Sequence, residues 1–511
     1  MDGFGSSAGD SIGRIRPLSA FSILVIAAIV FLASCVGTSS ESSESTGSSD
    51  TPITPGSTTA DTEIDLEATT TTTLPPLRVS MAQVLGGSVS DDPSPEDEIA
   101  VTPPEHPEES YMTAVAAGNS GLVAGGVVYP ANAETTDAGV WVSSDGRGWE
   151  RLEDESGVFG DAMSATGEPG DQAVNDVAGG SLGIIAVGSD GLLFEHDAAI
   201  WVSIDSSVWE RLTHDADVFG GEGDQFMHSV VQMPGLAVVV GESAGEAAAW
   251  VSQDGTQWAR AEVNDESVAA GVEPSVMKDV TVGDGVFVAV GSAGVDLGPA
   301  VWLSSDGLTW DRLLDSMAGE LSGFSTDESA MRPMTAVAAG EQGLVAIGTK
   351  LLHDEDQTQA ALSTGGPLVW TSVDGYEWQL LDSSFVELTD QEETSRYAYL
   401  KRGAPVLLED VAWVGDRALA IGGYELEPSP NATPSFVTLW ASADGGSTWH
   451  VAGETTLPPT ESPRGARSFT RFDDSLVLVG SDEAPAGKHP DYGWMTYAST
   501  PGVWIASLPE E

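Results

Sequence analysis

From residue 112 onward the chain repeats one hydrophobic pattern. Apolar runs close on glycine seven times: GLVAGG from Gly121, GIIAVG from Gly183, GLAVVVG from Gly235, GVFVAVG from Gly285, GLVAIG from Gly343, RALAIGG from Arg417 and SLVLVG from Ser475. Unbroken apolar runs of this length suit strands covered on both faces rather than half-exposed ones. Upstream of most of them lies a shorter strand-like element with apolar residues three apart: Met112 with Val115, Val174 with Val177, Met227 with Val230, Met277 with Val280, Met334 with Val337 and Leu408 with Val411. Downstream come an alternating strand around a tryptophan, a tight turn and a last short strand. Each unit therefore predicts four antiparallel strands.

Aligned on the first tryptophan, the units sit at Trp141, Trp201, Trp250, Trp302, Trp370, Trp440 and Trp504, with spacings of 60, 49, 52, 68, 70 and 64 residues. The shortest spacing bounds the repeat, and the excess elsewhere is insertion. Four-stranded sheets repeated this often predict an all-β fold, a seven-bladed β-propeller, in which stacking covers both faces of every sheet. The last unit ends too soon for a fourth strand, whereas the unassigned segment 77–84 precedes the first unit. That N-terminal strand is expected to complete the last blade and remove its open edge. Strand parity then puts the first-to-second and third-to-fourth turns on one face of the disc. The long connections (153–173, 349–366, 382–406 and 481–500) all fall on the other.

The turn before the last strand carries W-x-S-x-D-(G)-x-x-W, with its aspartates at Asp145, Asp205, Asp254, Asp306, Asp374 and Asp444. An Asp there accepts hydrogen bonds from the backbone N–H groups ahead of it, Gly tolerates positive φ, and Ser adds a local bond. Repetition marks these six residues as turn braces rather than catalytic acids. The sixth copy, Ser442-Ala443-Asp444-Gly445-Gly446-Ser447-Thr448-Trp449, matches S-x-D-x-G-x-T-W, so the repeats resemble the Asp-box (BNR-repeat) family of the sialidase superfamily. The resemblance implies a propeller with these hairpins at its periphery. It also brings in the sialidases, which use an arginine triad, a Tyr and Glu nucleophile pair and an Asp acid. The first unit has no F-R-I-P-like string, and 112–116 holds no arginine, although Arg332, Arg467 and Arg471 lie near inner strands of later units.

Composition changes the picture at the N-terminus. Arg14 and Arg16 precede an uncharged, mostly apolar run from Leu18 to Ser34, shorter than the roughly 20 residues that span a bilayer. It ends in Leu32-Ala33-Ser34-Cys35, which resembles the lipobox of bacterial lipoproteins and implies cleavage before Cys35 and lipidation of its thiol. A plain transmembrane anchor or an ordinary cleavage site is the alternative; each exports the body. The expected division is 1–34 signal peptide, 35–76 a Ser/Thr/Glu-rich tether too poor in apolar residues to bury a core, and 77–511 the propeller.

The chain has 79 acidic and 19 basic residues, a net charge of -60, so nucleic acid is excluded as a partner for want of a basic footprint. Such charge keeps a surface solvated and monomeric. With Cys35 the single cysteine there is no disulfide framework or thiolate cluster, and the seven histidines show no metal-ligand spacing. No cofactor is expected; calcium on the acidic run Asp354-Glu355-Asp356 is weighed against a merely solvated charge run.

Two insertions on the long-loop face hold aromatic and basic residues: Arg396, Tyr397, Tyr399, Lys401 and Arg402 in one, Lys488, His489, Tyr492 and Trp494 in the other. Together they suit a glycan or an acidic peptide; the plainer role is to pin their own loops. The expectation from sequence is thus an exported, lipid-anchored, non-catalytic propeller that binds protein or glycan at the cell surface. The alternative is a sialidase-like glycoside hydrolase.

Overall fold

The computed structural model describes residues 77–85 and most of 108–508, leaving out connecting segments of which 161–169, 265–273, 321–329, 354–361, 387–405, 425–435, 457–464 and 489–494 are the longest. The described residues form seven sheets, antiparallel apart from three short outer strands, with no α-helix. Blade 1 runs through Glu109–Gly118, Gly121–Tyr129, Asp137–Ser143 and Glu150–Arg151 in that spatial order, and the later blades repeat it. Inner strands touch in a closed ring, from Glu109–Gly118 through Asp171–Gly180, Gln225–Met233, Ser275–Gly283, Met334–Gly340 and Val406–Val414 to Ala466–Phe472, which returns to the first. This is a seven-bladed β-propeller.

Ring closure uses the N-terminal strand. Ser80–Leu85 pairs antiparallel with Met495–Ser507, Ser80 opposite Ser507 and Gln83 opposite Trp504, and becomes the outer strand of blade 7. Three further outer edges are covered by the chain leaving the preceding blade: Glu262–Asn264, Gly319–Glu320 and Ser384–Val386 each add a short parallel strand to the next blade. Unpaired edge N–H groups would otherwise invite another chain to pair.

The core lies between the blades. Each of seven buried clusters joins two neighbours, as where Val123 and Val140 of blade 1 meet Val174, Ile184 and Trp201 of blade 2, and where Val477, Val479 and Val503 of blade 7 meet Met112, Leu122 and Trp141 of blade 1. The seven third-strand tryptophans are buried there. Because each sheet is covered on both faces, its second strand reads as a continuous apolar run.

Two of the long insertions are partly strand. In blade 7, Ser475–Lys488 and Met495–Ser507 stay paired out to Lys488 opposite Met495, and in blade 5 Gly343–His353 pairs with Leu362–Ser372 out to His353 opposite Leu362. After blades 1 and 2 the connection docks instead through Phe159 and Phe219, both buried, and Trp201 and Trp250 donate their indole N–H to the carbonyls of Val158 and Val218 at 2.8 Å.

Candidate functional site

Every inner strand carries a β-bulge at the same place. The pairing slips between Met112 and Ala114, Val174 and Asp176, Met227 and Ser229, Met277 and Asp279, Met334 and Ala336, Leu408 and Asp410, and Ala466 and Ser468. The extra residues are Thr113, Asn175, His228, Lys278, Thr335, Glu409 and Arg467. A bulge re-aims side chains and leaves one residue unpaired, so this register is where a propeller can display chemistry on its channel. It sits toward the start of each inner strand, away from the first-to-second turns and toward the long connections.

The facing strand supplies a glycine each time: Gly126, Gly188, Gly241, Gly291, Gly348, Gly422 and Gly480. A Cβ on any of them would lie 1.9 to 2.1 Å from a carbonyl oxygen of the bulged strand. The glycine closing each apolar run is thus the steric condition for the bulge.

On the side formed by blades 6, 7 and 1, Glu409 and Arg467 occupy neighbouring bulges, and the Arg467 guanidinium lies 4.9 Å over the Tyr111 ring. Tyr111 in turn meets Tyr129, ring centroids 6.3 Å apart, and burial raises the Tyr129 phenol. Glu409 is exposed on its strand, yet the protein around it desolvates its carboxyl and raises it, and Arg467 opposes the rise. On the opposite side, His228, Lys278 and Glu242 form a second polar cluster.

The residue after the bulge ties blades together. Asp176 accepts the backbone N–H of Val177 at 2.8 Å and that of Val230 in the next blade at 2.8 Å. Asp279 accepts from Val280 and, one blade on, from Val337, and Ser229 donates to it at 2.7 Å. Asp410 accepts from Val411 and, one blade on, from Phe469. Burial lifts Asp176 to about 7 and Asp410 to about 8 against an ordinary 3.8, with repulsion from Asp279 adding to both. Between roughly pH 4 and 8 the folded chain therefore holds more protons than the unfolded one, and stability falls as pH rises through that window. Thermal melts should show a Tm several degrees higher at pH 5.5 than at pH 8.5. Relief of general charge repulsion acts in the same direction, so the double variant Asp176→Asn, Asp410→Asn isolates these carboxyls: its Tm should depend less on pH, and an unchanged slope would refute the assignment.

The six repeated aspartates stand on the other rim. Asp254 Oδ1 accepts the N–H groups of Thr256 and Gln257 at 2.8 and 2.7 Å, while Ser252 Oγ accepts from Gly255 at 2.9 Å. Asp145, Asp205, Asp306 and Asp374 each accept two such N–H groups and Asp444 one, from Thr448. The second tryptophans close the turn: Trp149, Trp209, Trp258, Trp310, Trp378 and Trp449 donate to the carbonyl three residues back. The backbone bonds hold the exposed carboxylates, Asp254 among them, below the usual range. Asp254→Ala should lower the midpoint of chemical denaturation slightly, because two turn N–H groups lose their acceptor.

The aromatic and basic candidates fall elsewhere. Arg396, Tyr397, Tyr399, Lys401, Arg402, His489, Tyr492 and Trp494 lie outside the described residues, as do Cys35, the tether, Arg332 and the Asp354-Glu355-Asp356 run, while Lys488 ends a strand of blade 7. Of the two arginines described, Arg467 faces the channel and Arg471 is exposed near the far end of its strand, its Nε–H bonded to the Asp473 carbonyl. Among the described residues no group of three or more His, Cys, Asp or Glu is placed to hold a metal ion. Arg260, in register with Arg151 and Arg211, lies over Trp250 and donates to the Val218 and Gly220 carbonyls.

No family model matches the chain and no curated protein matches it. Among solved structures it is similar to the phage phi92 endosialidase at 9% identity, over 85% of this chain and 70% of that one, with a TM-score of 0.41. It is also similar to an endo-arabinanase from Bacillus licheniformis (10% identity, 55% and 95% coverage, TM-score 0.26) and to a glycosyl hydrolase from Bacteroides ovatus (12%, 70% and 87%, 0.30). At such identities the likeness concerns the fold. The expectation of a non-catalytic binding or scaffold module is set aside as a correction in favour of its alternative; the structures named above are an endosialidase, an endo-arabinanase and a glycosyl hydrolase. Four of the seven bulge residues, His228, Lys278, Glu409 and Arg467, carry titratable side chains.

Proposed function

We propose that the protein is a glycoside hydrolase acting at the long-connection mouth of the channel. The observation that carries this reading is the meeting of Glu409, Arg467 and Tyr111 from three consecutive blades. A glycosidase needs an acid to donate a proton to the leaving oxygen, and Glu409, whose carboxyl desolvation raises, is the group offered for that role. Arg467 offers a positive planar fork for a carboxylate on the sugar. Tyr111 offers a phenolic nucleophile, the type sialidases use in place of a second carboxylate. The Ser-x-Asp hairpins, on this reading Asp-boxes, hold the far rim rigid and stay out of the chemistry.

The test is turnover of a panel of aryl glycosides, neutral and carboxylate-bearing, including an aryl sialoside. Release of the aryl group from one class, lost on Tyr111→Phe with the fold intact, supports the reading; a folded protein inert to the whole panel sinks it. For placement we propose a lipid anchor on Cys35 outside the cell. Cys35→Ser should release the protein from membranes, and a variant still bound with an uncleaved leader would refute the anchor.

A further inference from the structure

Across the channel from Glu409 lies a cluster that the hydrolytic reading does not use. Lys278 fills the bulge of blade 4 and His228 that of blade 3, and Lys278 Nζ lies 3.1 Å from His228 Nε2. Glu242, on the strand beside His228, has Oε1 3.3 Å from the same ring nitrogen. One nitrogen thus faces an amine and a carboxylate, and a hydrogen on it can serve only one of them at a time. Phe226 packs its ring against His228, centroids 6.2 Å apart at 20°, and against His196 on its other side, 5.1 Å away, so the imidazole is held in place. His228 and Glu242 are nearly closed off, with side chains 14% and 10% exposed.

We propose that Lys278 is a nucleophilic amine that condenses reversibly with an aldehyde entering the channel, with His228 and Glu242 as its proton relay. A nucleophile in hydrogen-bond reach of a base that is itself held by a third group is the arrangement covalent catalysis requires. The bulge register places Lys278 on the same inner-strand lining as Glu409 and Arg467, and the residue is half-buried there. Burial lowers its proton affinity against the opposing pull of Glu242, so a larger fraction is the neutral amine.

In the reaction the Lys278 nitrogen attacks the carbonyl carbon and a C–N bond forms. His228 takes a proton from that nitrogen, Glu242 compensates the imidazolium charge, and His228 returns the proton to the oxygen. A second proton from the nitrogen completes the water that leaves, and an imine remains. Water reverses the sequence. No oxidant or reductant is consumed.

Only Lys278, Lys350, Lys401 and Lys488 compete for label among the side chains. The full chain is treated with glycolaldehyde and sodium cyanoborohydride at pH 7, and alkylation of each lysine is followed by peptide mass spectrometry. Lys278 should react several-fold faster than each of the other three, because its burial beside His228 favours the neutral amine. His228→Gln, with an unchanged circular dichroism spectrum, should remove most of that advantage. Should this variant not fold, the pH dependence of labelling in the parent chain decides: the Lys278 rate should level off at a lower pH than the others. Labelling of Lys278 at or below the rate of the other lysines overturns the proposal. None of these readouts depends on glycoside turnover, so the two readings fail separately.

Discussion

Replacing Gly241 by alanine should lower the melting temperature by about 3 °C or more, the shift expected for a loss of roughly 3 kcal/mol in a domain of this size. Its new Cβ would stand 1.9 Å from the Phe226 carbonyl oxygen and 2.9 Å from the carbonyl carbon. Neither is the end of a flexible side chain, so the bulge itself must open or the two strands must part. The bulge carries His228 and abuts the contact with Lys278 of the next blade, hence the damage spreads across an inter-blade interface. Gly235 is the control. It sits in the neighbouring turn with φ +75° and nothing within 4 Å of a Cβ, so Gly235→Ala costs only the left-handed conformation, about 1 kcal/mol. Equal melting temperatures for the two variants would show that the bulge does not depend on the glycine.

Glu409→Gln should lower kcat on the responsive aryl glycoside by at least about 100-fold, the lower range for loss of a general acid. Glutamine keeps the shape and removes the proton. Melting temperature should change little, because Glu409 is exposed and its link to the next blade is the charge of Arg467, whereas Asp410 beside it accepts the N–H of the buried Phe469. The pH profile gives the sharper readout. Desolvation holds the Glu409 carboxyl above its ordinary range, so the parent enzyme should lose activity as this group ionises on the alkaline side. The variant's residual activity should lack that limb. A variant with parental kcat and profile would remove Glu409 from the chemistry.

Much of the propeller was legible in the chain. Seven apolar runs ending in glycine, the paired tryptophans and the missing last strand pointed to blade number, strand order and closure by the N-terminal strand. Each of these rests on local pattern or on counting, and period and burial are written directly in hydrophobicity. The glycine at the end of each run was visible too, but its reason was not: only the paired strand reveals a carbonyl where its Cβ would go.

The site was the least legible part. Expectation settled on long insertions rich in Tyr, Lys and Arg, since loops on a repeat scaffold carry function. The structure directs attention to residues inside the repeat itself. A signal was present: Asp176, Asp279 and Asp410 each stand directly before the recurrent valine in alternate units, in VNDV, MKDV and LEDV, where other units have Ala or Ser. An acid in a register otherwise reserved for small or buried residues marks a break in the repeat. Glu409, Arg467 and Tyr111 are 58 and 298 residues or more apart along the chain, and no spacing rule joins them.

By itself the sequence determined the kind of blade and how many stack, because a four-stranded unit covers its faces only against copies of itself. Which side chains share the channel was decided by the tertiary structure alone. Closing the ring brings blade 7 against blade 1, and the bulges turn one residue per blade toward the axis, so chemistry far apart in sequence converges only once every blade is in place.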